Sequence, residues 1–416
     1  MATNRPERLT QLLQFIDSKK IAKTIVRNPQ FADEPPIYSY ASSLNTDLKP
    51  KVENLTSGGV SFFSPKTALL KCAGEAIERY CWYKFESASE IMSSYSELKP
   101  KALNPSLVNS KFTNNQKLIW IKAYNLTKKS PSYVPRQLVN FFNAAHKSEY
   151  SLSQPSITTG CAGGFDKQSA LLRGTYETIE RDAFMSIYLT KTKAPLIDIE
   201  RVSSLRLQYI IESCRRYKLE PFVFDITTDL RVPVFLAVLV DRTGKGPAIS
   251  CGAKCGLNME KALTDSIEEA FLSRTWIREM LIEKSYQRNN DNIDNIRKRA
   301  LYWSHPFSIG YLDFLLNQKR EKLDIKRTLL NISQQLNLTL SLLSAKGHEA
   351  YCINLGEKIL SSNLYFVYRV IIPSLQPLYL VESEKKYSIR EKRLQQISDF
   401  FGTDKYDINT VPHPFL

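Results

Sequence analysis

The chain has 416 residues, 43% hydrophobic and 24% charged. That is the balance of a globular protein able to bury a large core, and its length suits two or three lobes. Lys and Arg number 57 against 42 Asp and Glu, a net charge of +15, yet the excess is spread without an arginine-rich tract or the motif of an RNA-binding sheet, which argues against nucleic acid.

Charge interrupts the early sequence, and the longest apolar run, 232–240, is far too short to span a bilayer. A cytoplasmic protein without membrane contact is expected. The N-terminal part suggests a helix over 9–16 and, after Pro35 and Pro36, a strand over 37–42. Thr56-Ser-Gly-Gly59 reads as a turn. Ser64 and Pro65 then supply a cap and a first-turn proline for a helix.

That helix carries Lys71, Glu75, Glu78 and Arg79 in the order Glu-x-Ile-Glu-Arg. The same order recurs in Glu177-Thr-Ile-Glu180-Arg181, with Arg173 four places before its first Glu. Helical spacing puts each set on one stripe, opposite an apolar face of Cys72, Ala73, Ala76 and Tyr80 or of Leu172, Tyr176, Ile179 and Ala183. A single stripe would be a solvated ladder of ion pairs. Two copies suggest converging carboxylates that need cations between them, and Glu with Arg suits Mg²⁺ and phosphate. A Mg-ATP site between two helices is the sharper reading.

Between the two helices, 93–117 is rich in Ser, Lys, Asn and Pro and reads as a surface connection, followed by strands at 118–124 and around Tyr133. Thr158 to Gly164 precedes Asp166, a cap for the second helix, and its glycines suit either close approach to a ligand or an ordinary turn. Val234 to Val240 is apolar throughout and suggests a central strand. A third helix is expected over Met259–Ile282, with Asp265, Glu268, Glu269, Arg274 and Arg278. Residues 289–299 read as a loop or the start of an exposed helix, and 367–372 as a strand.

The seven cysteines are scattered and odd in number, which argues for reduced thiols. Cys251 and Cys255 form the one close pair, read as buried small residues or as half of a zinc site.

With these pieces the chain resembles the YcaO superfamily, and within it the azoline-forming peptide cyclodehydratases. The resemblance rests on 74–80, 176–184, Glu268-Glu-Ala270, Arg369-Val-Ile-Ile-Pro-Ser-Leu-Gln-Pro-Leu378 and the ending Pro412-His-Pro-Phe. It implies an α+β fold of mixed and antiparallel sheets flanked by helices, with an N-terminal segment over 1–55, a YcaO domain over 56–416 and a proline-rich tail over 410–416. It further implies that Glu75, Glu78, Arg79, Glu177, Glu180, Arg181, Glu269 and Arg274 bind ATP, with Glu75, Glu78, Glu177 and Glu180 holding Mg²⁺. Pro412, His413, Pro414 and Leu416 would reach the active site, although His413 also reads as a packing residue.

The implied reaction is ATP-dependent conversion of Cys, Ser or Thr of a ribosomal precursor peptide to an azoline through phosphorylation of the backbone amide oxygen. Its alternatives are backbone thioamidation and a catalytically reduced scaffold. A separate leader-binding partner resembling ubiquitin-activating (ThiF-like) enzymes is expected. A flavin dehydrogenase of the same pathway and a second copy of the chain are further candidate partners. The chain departs from the family at Lys71, Phe165, Ser169, Ser266 and Leu272, which bears on the second metal and the adenosine contacts.

Overall fold

The computed structural model describes residues 5–45, 56–140, 145–153, 157–282, 293–356, 360, 364–403 and 405–416. The fold is α+β, with three sheets of mixed and antiparallel strands flanked by helices, as expected.

Helix α1 (Arg5–Ser18) buries Leu12 and Ile16 and leads into a three-stranded antiparallel sheet of β1 (Ala22–Arg27), β2 (Tyr38–Leu44) and β3 (Thr56–Ser61). Because β2 pairs with β1 on one side and with β3 on the other, across the expected boundary at 55, itself outside the described residues, the N-terminal segment shares a sheet with β3. Helix α2 (Pro65–Lys84) begins where the Ser64 side chain accepts from Thr67 N and Pro65 fills the first turn.

A second sheet has the order β4-β5-β13-β14-β7, with β6 also paired to β5. Its strands are β4 (Glu90–Ser94), β5 (Lys117–Asn125), β6 (Ser130–Pro135), β7 (Cys161–Gly164), β13 (Tyr351–Asn354) and β14 (Phe366–Ile371). Helix α3 (Lys167–Thr190) lies against β7 and β14 and is capped by Asp166. The third sheet runs β11-β10-β9-β8-β12, comprising β8 (Leu196–Ile197), β9 (Leu219–Asp225), β10 (Val234–Asp241), β11 (Ile249–Cys255) and β12 (Arg320–Glu321). Strand β10 is buried along its whole length between β9 and β11, which explains its unbroken apolar run. Helices α4 (Leu205–Arg216) and α5 (Met259–Ile282) cover this sheet, and α6 (Ile296–Trp303), α7 (Ile332–Ala345) and α8 (Glu391–Phe400) complete the chain.

Three expectations are corrected. Thr56 to Gly59 is strand, not turn: a Cβ on Gly59 would lie 2.1 Å from Ala68 O, so the glycine serves close packing of β3 on α2. Residues 93–117 are not merely surface, because Leu103 and Phe112 enter the core around α2. Within 289–299, residues 289–292 lie outside the described residues, while Arg299 in α6 is fully buried rather than exposed. Cys251 and Cys255 are buried free thiols, and no metal-holding cluster of three His, Cys, Asp or Glu occurs among the described residues. No described helix is long and apolar enough to cross a membrane.

Candidate functional site

Three strand and helix pairs, β3 with α2, β7 with α3 and β11 with α5, use one geometry. On each helix a carboxylate accepts from a backbone N–H of its own strand: Gly58 N to Glu75 Oε2 at 2.6 Å, Gly160 N, just before β7, to Glu177 Oε2 at 2.9 Å, and Ala253 N to Glu269 Oε2 at 3.1 Å. The residue three positions on reaches the next pair. Gly163 N donates to Glu78 Oε1 at 2.7 Å, and Cys255 N donates to Glu180 Oε2 at 3.0 Å. The third pair closes the ring with Leu272, whose Cδ1 lies 3.0 Å from where a Cβ on Gly58 would stand. The duplicated motif is therefore two parts of a threefold arrangement whose third member has leucine in the second acidic position.

Helical periodicity explains the convergence, since i and i+3 share a face. It also explains the cost. Burial, with the Glu75 charge beside it, pushes the Glu78 carboxyl up to about 7 against the opposing Arg173. Burial likewise raises Glu177 and Glu180, against Arg181 in the first case and Lys254 in the second. Such groups resist ionisation until a cation arrives.

Four cations of the chain stand among them. Arg79 Nη2 lies 2.6 Å from Glu75 Oε1, and Arg181 Nη2 lies 3.6 Å from Glu177 Oε1. Lys254 Nζ bridges Glu269 at 2.8 Å and Glu180 at 3.7 Å. Burial opposes its charge, yet Glu180 and Glu269 hold its pKa above the ordinary lysine value. Lys71 Nζ bonds Glu268 at 2.6 Å and lies 3.6 Å from Asp265, tying α2 to α5. Glu268 also accepts from Phe62 N at 3.0 Å.

The donor set fits a magnesium nucleotide. With no three-ligand cluster among the described residues, an all-protein metal cage is excluded for them. Mg²⁺, however, keeps waters and takes one or two carboxylates plus phosphate oxygens. Glu180 Oε1 and the Nε atoms of Arg79 and Arg181 are buried without hydrogen-bond partners among the described residues, which suits a metal ion and phosphate oxygens respectively.

The structure brings together Glu75, Glu78, Arg79, Glu177, Glu180, Arg181 and Glu269. It does not add Arg274 to them. That guanidinium is buried against Glu34, 2.8 Å from Oε2, and Asp241, 2.7 Å from Oδ2, and donates to Pro247 O as well. With its donors so engaged, Arg274 holds α5 to the loop before β2 rather than facing phosphate. Asp182, next to Arg181, is likewise structural: it grips Arg393 and receives Gln376 N at 2.8 Å.

Two departures from the family pattern are absorbed locally. Ser169 completes the Asp166 cap, and Phe165 packs edge-on against Tyr365 at 5.3 Å. Lys254 was missed, and Glu268 was named without a role. Lys254 left one signal, a lone charge in the otherwise uncharged strand β11.

The tail is inserted, not loose. Tyr188 Oη donates to Pro412 O at 3.0 Å, as does Trp303 Nε1, and Arg299 Nη1 donates to His413 O at 2.9 Å. His413 is fully buried with Nε2 2.5 Å from Tyr379 O, and burial drives its pKa well below the ordinary value, so it is neutral. Its ring is enclosed as a packing residue's would be, with Nδ1 lacking a hydrogen-bond partner among the described residues. Phe415 lies 4.9 Å from the Phe184 ring, with the Arg181 guanidinium 4.3 Å from its centroid. Leu416 packs beside Ile277 and Met280, and Pro414 is buried with its neighbours. The tail thus touches the site through Phe415 and Arg181. With His413, Pro414 and Phe415 buried, removing residues 412–416 would cost stability.

Residues 62–376 match the family model described as YcaO cyclodehydratase, ATP- and Mg²⁺-binding. Among solved structures, a heterocyclase in complex with substrate and cofactor is similar over 99% of this chain and 58% of its own, at 17% identity and TM-score 0.81. YcaO from Methanopyrus kandleri bound with AMPPCP and Mg²⁺ is similar over 90% and 91%, at 14% identity and TM-score 0.65. The E. coli microcin synthetase McbBCD complex with pro-MccB17 bound matches over 85% and 88%, at 17% identity and TM-score 0.65. These likenesses establish the fold. An uncharacterized protein of Methanothermobacter thermautotrophicus is 26% identical over 238 residues, 55% of this chain and 60% of that protein. An uncharacterized protein in the tfuA 3' region of Rhizobium leguminosarum bv. trifolii is 25% identical over 186 residues, 41% of this chain and 43% of that protein. The chain thus spans about half the length of these curated relatives.

Proposed function

The chain belongs to the YcaO family, and from that premise we propose that it is an ATP-dependent cyclodehydratase that converts Cys, Ser or Thr of a ribosomally made peptide to azoline rings. The observation that carries this reading is the acidic ring of Glu75, Glu78, Glu177, Glu180 and Glu269, buried at Glu180 and half-buried elsewhere, beside Arg79 and Arg181 nitrogens that have no hydrogen-bond partner among the described residues. In the proposed reaction the side-chain nucleophile adds to the preceding backbone carbonyl and loses its proton. The resulting oxygen takes the γ-phosphoryl group of ATP, releasing ADP. Loss of that phosphate with the amide N–H proton then forms the C=N bond, a net removal of one water.

Glu78 and Glu180 would hold Mg²⁺, with Glu75 and Glu177 as the further carboxylates, and the bound ion would neutralise phosphate charge. Arg79 and Arg181 would donate to phosphate oxygens, and the strand amides bonded to the carboxylates fix their orientation. The tail would position Arg181 through the face of Phe415. Two solved relatives, bound with AMPPCP and Mg²⁺ or with substrate and cofactor, support this reading. Because one solved relative is a multi-chain synthetase complex with a peptide bound, we also propose a separate partner that binds the leader of the peptide.

The test is to incubate the protein with candidate precursor peptides, Mg²⁺ and ATP, with and without the partner, and to follow peptide mass. Loss of one water per ring with matching ADP formation is expected. Exchange of oxygen for sulfur when sulfide is supplied would replace cyclodehydration with thioamidation, and no ATP turnover would reduce the chain to a scaffold.

A further inference from the structure

Arg181 borders two spaces. One is the acidic ring, through Glu177. The other is a small cleft, partly open to solvent, between α3 and the segment that leaves β14. Its lining includes Arg181, Arg369 and Arg390 with apolar walls from Ile157, Ile372 and Leu375, and no carboxylate among the described residues lines it.

Arg369 is the unusual member. It is 5% exposed, on a central strand of its sheet, and its Nε and Nη1 have no hydrogen-bond partner among the described residues. The guanidinium stands 5.6 Å from the Trp82 ring centroid, which offers it a π face but no acceptor oxygen. An arginine cannot escape this situation by losing its proton, and although the Glu177 charge favours it, burial of two guanidinium nitrogens without an acceptor costs stability. Replacement by an uncharged side chain of similar length would relieve that cost. The position is therefore set for an acceptor that arrives with a ligand.

The chemistry of the lining selects the ligand. Nucleotide phosphates bring Mg²⁺ and belong with the carboxylates on the other side of Arg181, whereas a space with arginines and no carboxylate holds an acceptor that carries no metal. Apolar walls suit the side chains flanking such an acceptor in a peptide. We propose that this cleft receives the backbone of the substrate peptide, with Arg369 donating to the carbonyl oxygen of the amide to be activated. The inference rests on the cyclodehydratase reading and deepens it. Addition of the side chain makes that oxygen negative, and a fixed guanidinium stabilises the charge as it develops. Arg181 then stands between this oxygen and the phosphate it will receive.

The test uses the full chain and three arms. Binding of N-acetylglycylserine amide is followed by saturation-transfer NMR in the wild type, Arg369→Met and Arg369→Lys, with inorganic phosphate as the second probe and Mg-AMPPCP titrated by calorimetry as the third. The amide should bind the wild type, weaken about tenfold or more in Arg369→Met and be partly retained in Arg369→Lys. Mg-AMPPCP affinity should stay within about twofold, and the melting temperature of Arg369→Met should not fall. Four results would overturn the proposal: no amide binding to the wild type; binding of phosphate but not amide at Arg369; loss of AMPPCP affinity in Arg369→Met; or a fall in melting temperature in both variants, which marks a structural residue. These measurements need no turnover. Failure of the peptide to lose water therefore counts against the reaction, while failure of amide binding counts against this site.

Discussion

Substituting Glu78 by Gln tests the electrostatics of the acidic ring with little change in shape. The carboxylate is half-buried, and its Oε1 accepts from Gly163 N at 2.7 Å and Tyr365 Oη at 3.4 Å, acceptor roles that a glutamine oxygen can keep. Burial and then the Glu75 charge raise its pKa from 4.5 to about 7. A difference of about 2.5 pKa units is worth about 3 kcal/mol, and screening of a partly exposed group reduces this to about 1–2 kcal/mol. The folded state binds the proton more tightly, so the stability this group contributes is fully present below pH 4.5 and is lost as pH rises through about 7.

Glu78→Gln should therefore melt with the wild type near pH 4.5 and be more stable by about 1–2 kcal/mol at pH 8. Adding Mg-AMPPCP at about 100 times its Kd should stabilise the wild type by about 2.7 kcal/mol, and most of this should be absent in the variant. The order of the two melting temperatures at pH 8 then reverses on loading. Comparing variant with wild type at each pH cancels the other titrating groups. A difference independent of pH, or an equal ligand shift in both proteins, would refute the reasoning.

Phe415→Ala should cost about 3 kcal/mol in a thermal or denaturant melt, because the ring is buried against Phe184, and should also slow ATP-dependent turnover by freeing Arg181. Asp182→Asn should destabilise by about 3 kcal/mol in the same melt, since it leaves the Arg393 cation buried with only Asp229 as its charged partner. Lys254→Met removes the ammonium between Glu180 and Glu269, so the Glu180 carboxyl should rise further in pKa and half-maximal AMPPCP binding should require more Mg²⁺. Unchanged Mg²⁺ dependence in a calorimetric titration would contradict that assignment.

The sequence exposed the first two members of the acidic ring because Glu75 with Glu78 and Glu177 with Glu180 repeat one helical pattern. It concealed the third, since Leu272 occupies the position that carries Glu78 and Glu180 in the other two. Helix boundaries were legible where a cap names them, at Ser64 and Asp166. Glycine-rich strands were not. Gly59 and Gly252 look like turn residues, yet each lies where a Cβ would strike the helix packed on its strand, at Ala68 O or Ala270 N. Arg274 was a candidate only through the family resemblance, and the fold shows that Glu34, 240 positions away, takes it. Arg369 reads as an ordinary strand residue until its burial and missing acceptors are seen.

The central claim is that the amide oxygen of a peptide is removed by phosphorylation, and it is tested most directly by following that atom. A precursor peptide bearing heavy oxygen at the reacting carbonyl, given with ATP, Mg²⁺ and the leader-binding partner, should deliver its label to inorganic phosphate, with one labelled phosphate per ring. Ring formation that leaves the label in water, with unlabelled phosphate, would contradict phosphorylation of the amide oxygen.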